Sequence, residues 1–151
     1  MTSSQAIELP SDGPCAFCAY LAGERPYTIL ARTDRVAVLV TREQRGTAHL
    51  LVVPVRHAPT ILDITDQESD AIMRAVRQAA LAIDRAEKSP GIAVWQNNGV
   101  PASQAIGHLH FHIAGTLPGG GTDWGDVQEL TLAETDAIAE RLRRAAPLHL
   151  K

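Results

Sequence analysis

Apolar positions follow one rhythm through the first third of the chain and another in two later segments. YTILART (27–33) and RVAVLV (35–40) are β-branched, apolar runs on either side of Asp34, and they predict a hairpin. AHLLVVP (48–54) reads as a third strand, stopped by Pro54. From Thr65 the period lengthens: Ile72, Val76, Ala79, Ala80 and Ile83 recur at helical spacing, and Thr65 with Glu68 has the form of a capping box. A helix over about 66–88 is expected, closed by Pro90 and Gly91. IAVWQN (92–97) then reads as a strand, NGVPAS (98–103) as a turn-rich loop, and GHLHFHIAG (107–115) as the last strand. A glycine-rich loop, LPGGGTDWG (117–125), leads to a second capping pair, Thr131 and Glu134, and a helix over about 132–144. Near the start, AFCAYLAGE (16–24) predicts a short helix ending at Gly23.

These elements describe an α+β fold, an antiparallel five-stranded sheet with one long helix and short terminal helices. Residues 1–13 are expected to form a flexible arm, 14–116 the domain, and 117–151 the glycine-rich loop and a C-terminal helix packed on it. Composition agrees with one domain: 151 residues, 45% of them hydrophobic, suffice for a single core. Fourteen Lys and Arg against seventeen Asp and Glu give a net charge of −3 with no block of like charges. That balance argues against general nucleic-acid binding and against a basic membrane-surface protein. The longest apolar runs, VAVLV (36–40) and LLVV (50–53), are strand length and well short of the roughly twenty residues that span a bilayer. MTSSQAIELPSDGP lacks a positive region followed by an apolar stretch, and a cytoplasmic location is expected.

The chemistry gathers in the last strand. On a strand, His108, His110 and His112 share one face while Leu109, Phe111 and Ile113 share the other, which would bury against the helix. Successive histidines lie about 6.5–7 Å apart, too far for all three to bind one ion through bonds of about 2 Å. A three-histidine metal site from this strand alone is therefore not expected. One histidine could still join ligands from elsewhere, leaving two for chemistry. The only cysteines, Cys15 and Cys18, form C-A-F-C. No strand precedes them, so a thioredoxin-type dithiol is the weaker reading and metal binding the stronger.

H-L-H-F-H-I-A resembles the histidine triad signature, which identifies the chain as similar to the HIT superfamily of nucleotide hydrolases and transferases. CAFCAYLAGE resembles that family's opening block, HLLVVPVRH (49–57) its second, and QNNGVPASQAIGHLHFH its Asn, glycine loop and pre-triad Gln. The resemblance covers about Cys15 to Gly115. It implies that His110 attacks the α-phosphorus of a purine nucleotide conjugate to form a nucleotidyl-histidine. The conjugate would be a nucleoside phosphoramidate, an aminoacyl adenylate or a dinucleoside polyphosphate. His112 would contact the phosphate. Gln104 and the backbone N–H groups near Ser103 to Ala105 and His112 would hold phosphoryl oxygens without Mg²⁺, and Asn97 would sit across the pocket from the leaving group. The alternative for Asn97 and Gln104 is an amide that caps a loop. The same family pairs its long helix and fourth strand across a two-fold axis, which implies a homodimer.

Some members are similar in holding structural Zn²⁺ with a C-x-x-C pair and two histidines. Here His49 and His108, each leading its strand, could meet at one end of the sheet, which gives Cys15, Cys18, His49 and His108 as the ligand set. The rival assignment keeps His49 and His108 in the active-site hydrogen-bond network and leaves the cysteines as two buried thiols. Three departures stand out. Ala105 occupies the place of a serine that usually contacts the leaving group. Thr41 stands where many members carry an acid for the ribose hydroxyls, with Glu43 as a substitute. Trp124 in the tail either stacks on a base, its own subunit's or a partner's, or anchors the glycine loop to the core.

Overall fold

A computed structural model describes residues 6–11 and 13–151. Five antiparallel strands, β1 (Ile29–Arg32), β2 (Val36–Val40), β3 (His49–Pro54), β4 (Ile92–Gln96) and β5 (Phe111–Gly115), form a sheet in the order β1-β2-β3-β5-β4. Helix α2 (Asp66–Glu87) covers one face together with α3 (Leu132–Ala145), and the short α1 (Ala16–Leu21) covers the other.

The continuous apolar runs of β2 and β3 follow from this sandwiching. Val36, Val38, Val40, Leu50 and Val52 pack with Leu109 and Ile113 against Ile72, Val76, Ala79 and Ile83 of α2. Ala37, Leu39, Leu51 and Val53 point the other way, onto Phe17 and Leu21 of α1. A strand buried on both faces has no reason to alternate. Both expected capping boxes form, Thr65 with Glu68 and Thr131 with Glu134, and each starts its helix at the next residue. Helix α1 stops at Leu21, two residues short of the expected glycine; Ala22 caps it and Gly23 takes the left-handed turn, φ +76.

Glu68 also ties the helix start to the segment beyond β3. Its carboxylate accepts from Arg56 Nε at 3.0 Å and Nη2 at 2.7 Å, and from the Thr65 N–H at 2.9 Å. The Arg56 guanidinium holds the Glu68 carboxyl below its ordinary pKa. Because the folded value is the lower one, this stabilisation is present above the unfolded carboxyl pKa and is lost as pH falls through the folded value. Glu68→Gln keeps the cap but loses the charge pair, and with Arg56 half exposed the expected cost is about 1 kcal/mol at pH 7. Urea unfolding of both proteins at pH 7 and pH 3 checks it: the difference between them shrinks at the lower pH.

Two expectations change. The last strand begins at Phe111, not Gly107, because its ladder with β3 runs from His49 opposite Ala114 to Val52 opposite Phe111 and stops there, while the last two residues of β3, Val53 and Pro54, pair only with β2. Beyond that point Leu109 N–H finds the Ala58 carbonyl instead, at 2.7 Å. The arm expected to be loose through residue 13 is docked over part of its length. Glu8 O accepts from Val100 N–H at 2.7 Å, Ile7 packs on Gly99 and Pro10 on Gly107. Residues 1–5 and 12 of that arm lie outside the described residues.

Candidate active site and metal centre

The face of the sheet that carries α1 also carries the histidines. His110 is buried, and its Nδ1–H donates to the carbonyl of His108 at 2.8 Å. That bond fixes the tautomer, so Nε2 keeps the ring's free lone pair. A second chain of bonds orients His112. Arg45 N–H donates to His49 Nδ1 at 3.2 Å, which leaves the proton of His49 on Nε2, and His49 Nε2 lies 3.0 Å from His112 Nδ1. The remaining proton of His112 is therefore on Nε2. Burial lowers the pKa of His112 to about 3 and that of His49 to about 4, so both are neutral at pH 7. Trp95 of β4 lies flat on His112, with centroids 4.7 Å apart and planes 5° from parallel. His110 and His112 meet edge to face at 5.0 Å.

These rings line a cavity of about 520 Å³. Asn97, Ser103 and Ala105 line it as well. Gln104 does not. Its side chain is buried, accepts from Gly99 N–H at 2.6 Å and donates to the carbonyls of Pro59 and Ile106 at 2.8 and 2.9 Å. With its oxygen and both amide protons engaged it braces the loop, so the loop-capping alternative applies and the phosphate-contact assignment is corrected. The Ser103 and Gln104 N–H groups are also engaged, with Val100 O and Gly99 O. Of the amides of Ser103, Gln104 and Ala105, only that of Ala105 has no acceptor among the described residues.

The cysteines meet a different histidine from the one expected. Ligand atoms of Cys15, Cys18, His57 and His108 all lie within 4.8 Å of one another. Cys15 Sγ is 3.3 Å from His108 Nδ1, Cys18 Sγ is 3.4 Å from His57 Nδ1, and the two Nδ1 atoms are 3.2 Å apart. A tetrahedral zinc with bonds near 2.0–2.3 Å has ligand edges of about 3.3–3.8 Å, so the residues fit such an ion. His108 Nε2 is 2.8 Å from the Pro54 carbonyl; donating there leaves the Nδ1 lone pair toward the thiols. His49 is excluded by strand direction. Because β3 and β5 are antiparallel, the start of β3 lies opposite Ala114 at the end of β5, while His108 lies beyond the end of β3. His57 closes the block HLLVVPVRH, so the signal for it was present, but spacing alone did not separate it from His49.

Residues 22–118 match the HIT domain. The chain belongs to the HIT family. A HIT-like protein of Saccharolobus solfataricus is 33% identical over 68% of this chain and 73% of its own length. A Candida albicans protein named adenosine 5'-monophosphoramidase is 28% identical over 70% of this chain and 72% of its own. A solved HIT-like protein from Bartonella henselae superposes with TM-score 0.81 at 25% identity, over 89% of this chain and 97% of that one.

The rest of the cavity wall lies partly outside the HIT match. Tyr20 and Tyr27 stack at 4.0 Å beside buried Thr41, and Arg42 N–H donates to the Tyr27 hydroxyl at 3.3 Å. After β5 the chain returns as a strap. Asp123 N–H donates to Arg45 O at 2.8 Å, and Arg45 Nη1 donates to the carbonyls of Asp123 and Gly125 at 3.1 and 2.6 Å. The strap receiving loop packs closely, since a Cβ on Gly46 would overlap the Gly115 carbonyl. Trp124, at 77% exposure, is not a core anchor; its ring sits 5.7 Å from Trp95 at the cavity wall. Trp95 and the tyrosine pair were not foreseen, because nothing local in the sequence marks an aromatic residue as facing a histidine.

Proposed function

We propose that the protein cleaves purine nucleotide conjugates at the α-phosphate through a nucleotidyl-histidine on His110. The observation that carries this reading is the His110 Nδ1–H bond to the His108 carbonyl, which leaves Nε2 as a lone-pair nucleophile on the cavity wall. Nε2 forms the bond to phosphorus as the bond to the leaving group breaks, and the departing atom takes the electron pair and then a proton from solvent, which the water attacking in the second step returns. The imidazole becomes cationic while Nδ1 keeps its proton, and the His108 carbonyl oxygen stabilises that charge. His112 Nε2–H and the Ala105 N–H donate to the phosphoryl oxygens. Water then attacks phosphorus, breaks the P–N bond and releases the nucleoside monophosphate.

Cys15, Cys18, His57 and His108 would hold a structural zinc. Four protein ligands fill a tetrahedron, so the ion would supply rigidity and no open coordination position. Its value to the reaction is placement: His108 offers Nδ1 to the thiol cluster, Nε2 to Pro54 and its carbonyl to the nucleophile. At the open edge of β4, Val94 is exposed, as is Met73 on α2, which supports the two-fold pairing expected above. Light scattering at twice the 16.2 kDa chain mass checks that pairing.

The function is tested with adenosine 5'-phosphoramidate, a diadenosine polyphosphate and a nucleotide sugar, each with and without inorganic phosphate. Release of AMP together with a nucleotidyl-histidine detected by mass spectrometry is the expected result. A product that forms only with added phosphate makes the protein a phosphorylase of the same chemistry. AMP binding without turnover or adduct makes it a binding module and sinks the hydrolase reading.

A further inference from the structure

With its phosphate at His110 and its base toward the stacked Tyr20 and Tyr27, a nucleotide places its sugar beside Thr41, Arg42 and the strap. The vicinal hydroxyls of a ribose need acceptors there. Thr41 Oγ1 already accepts from Glu43 N–H at 3.1 Å, and the Tyr27 hydroxyl accepts from Arg42 N–H at 3.3 Å. Two carboxylates line the cavity, Glu43 and Glu129.

They differ in how firmly they are held. Leu130 N–H donates to Arg42 O at 2.8 Å, and Arg42 Nε returns a bond to Leu130 O at 2.6 Å. These two bonds lock the backbone next to Glu129 against the loop after β2, and Arg42 Nη1 stands 3.7 Å from Glu129 Oε1. A carboxylate with one oxygen toward that guanidinium keeps further lone pairs for hydroxyl donors. Glu43 is exposed, and its carboxylate has no hydrogen bond or ion pair among the described residues, so ordering it on binding costs side-chain entropy.

We propose that Glu129, delivered by a strap outside the HIT match, is a specificity-determining residue that accepts hydrogen bonds from the ribose hydroxyls and selects ribonucleotides over 2'-deoxyribonucleotides. The proposal rests on nucleotide binding in this cavity but not on turnover.

Calorimetric titration of the full chain with AMP and with 2'-deoxy-AMP tests it. The wild type is expected to bind AMP about tenfold or more tighter, as a hydrogen bond to a charged acceptor implies. Glu129→Gln and Glu129→Ala are expected to bring the two ligands within about threefold of each other, while Glu43→Gln keeps the preference. Glu129 is exposed, and unchanged thermal melting of its variants shows that folding is not the cause. Equal binding of the two ligands by the wild type, a preference that survives both Glu129 variants, or one abolished by Glu43→Gln overturns the proposal. Failure of the chemistry alone looks different, as ribose preference without AMP release from any conjugate. A chain that binds neither ligand overturns both readings.

Discussion

Replacing His110 by Ala or Asn is expected to lower kcat by at least ~10⁴-fold, with AMP affinity and thermal melting near those of the wild type. The size follows from losing the nucleophile outright, since no second nitrogen lies in an equivalent position. His112 cannot take over: its Nδ1 faces His49, and its Nε2 carries the ring's proton and so has no free lone pair. His49 has both nitrogens engaged, with Arg45 N–H and His112. Single-turnover assays with an adenosine phosphoramidate, read alongside calorimetric AMP binding, separate loss of chemistry from loss of binding. Turnover within tenfold of wild type would refute His110 as nucleophile.

Removing the metal cluster is expected to have the largest effect on stability. Purified protein should carry one zinc per chain, and Cys15→Ser, Cys18→Ser and His57→Ala should each lose it, whereas His49→Ala should keep it. A site filled at a thousand times its Kd stabilises the fold by about 4 kcal/mol, which for a chain of this length lowers Tm by on the order of 10 °C when lost. The cluster joins α1, the turn after β3 and the residue two before the nucleophile, so its loss should lower kcat as well. Elemental analysis with melting curves decides the matter. Zinc retained by His57→Ala and lost by His49→Ala would restore the other ligand set.

Much of the fold could be read directly from the chain because its cues are local. Thr65 with Glu68 and Thr131 with Glu134 cap helices within four residues of sequence, and Gly23 supplies the left-handed turn behind α1. The alternation of His108, Leu109, His110, Phe111, His112 and Ile113 also held: Leu109 and Ile113 pack with α2, while His108 and His110 contact Phe17 of α1. The start of β5 was not legible, because it is set by where its ladder with β3 stops, a pairing between segments distant in the chain.

The site shows the same division. Its residue types follow from the sequence alone: a histidine triad, two cysteines spaced to share an ion, and an Asn and small residues in a loop beside them. Which histidine serves which task does not. His49 and His57 are eight positions apart on one segment, and only antiparallel pairing puts the first beside His112 and the second beyond the far end of β3 with the thiols. Gln104 turned inward because three groups brought together by loop closure satisfy its amide. The sequence by itself determined the chemistry available, since side-chain type and short-range periodicity are local properties. Tertiary structure decided the partners, because hydrogen bonds and metal geometry depend on distances that strand direction and chain return set across the whole domain.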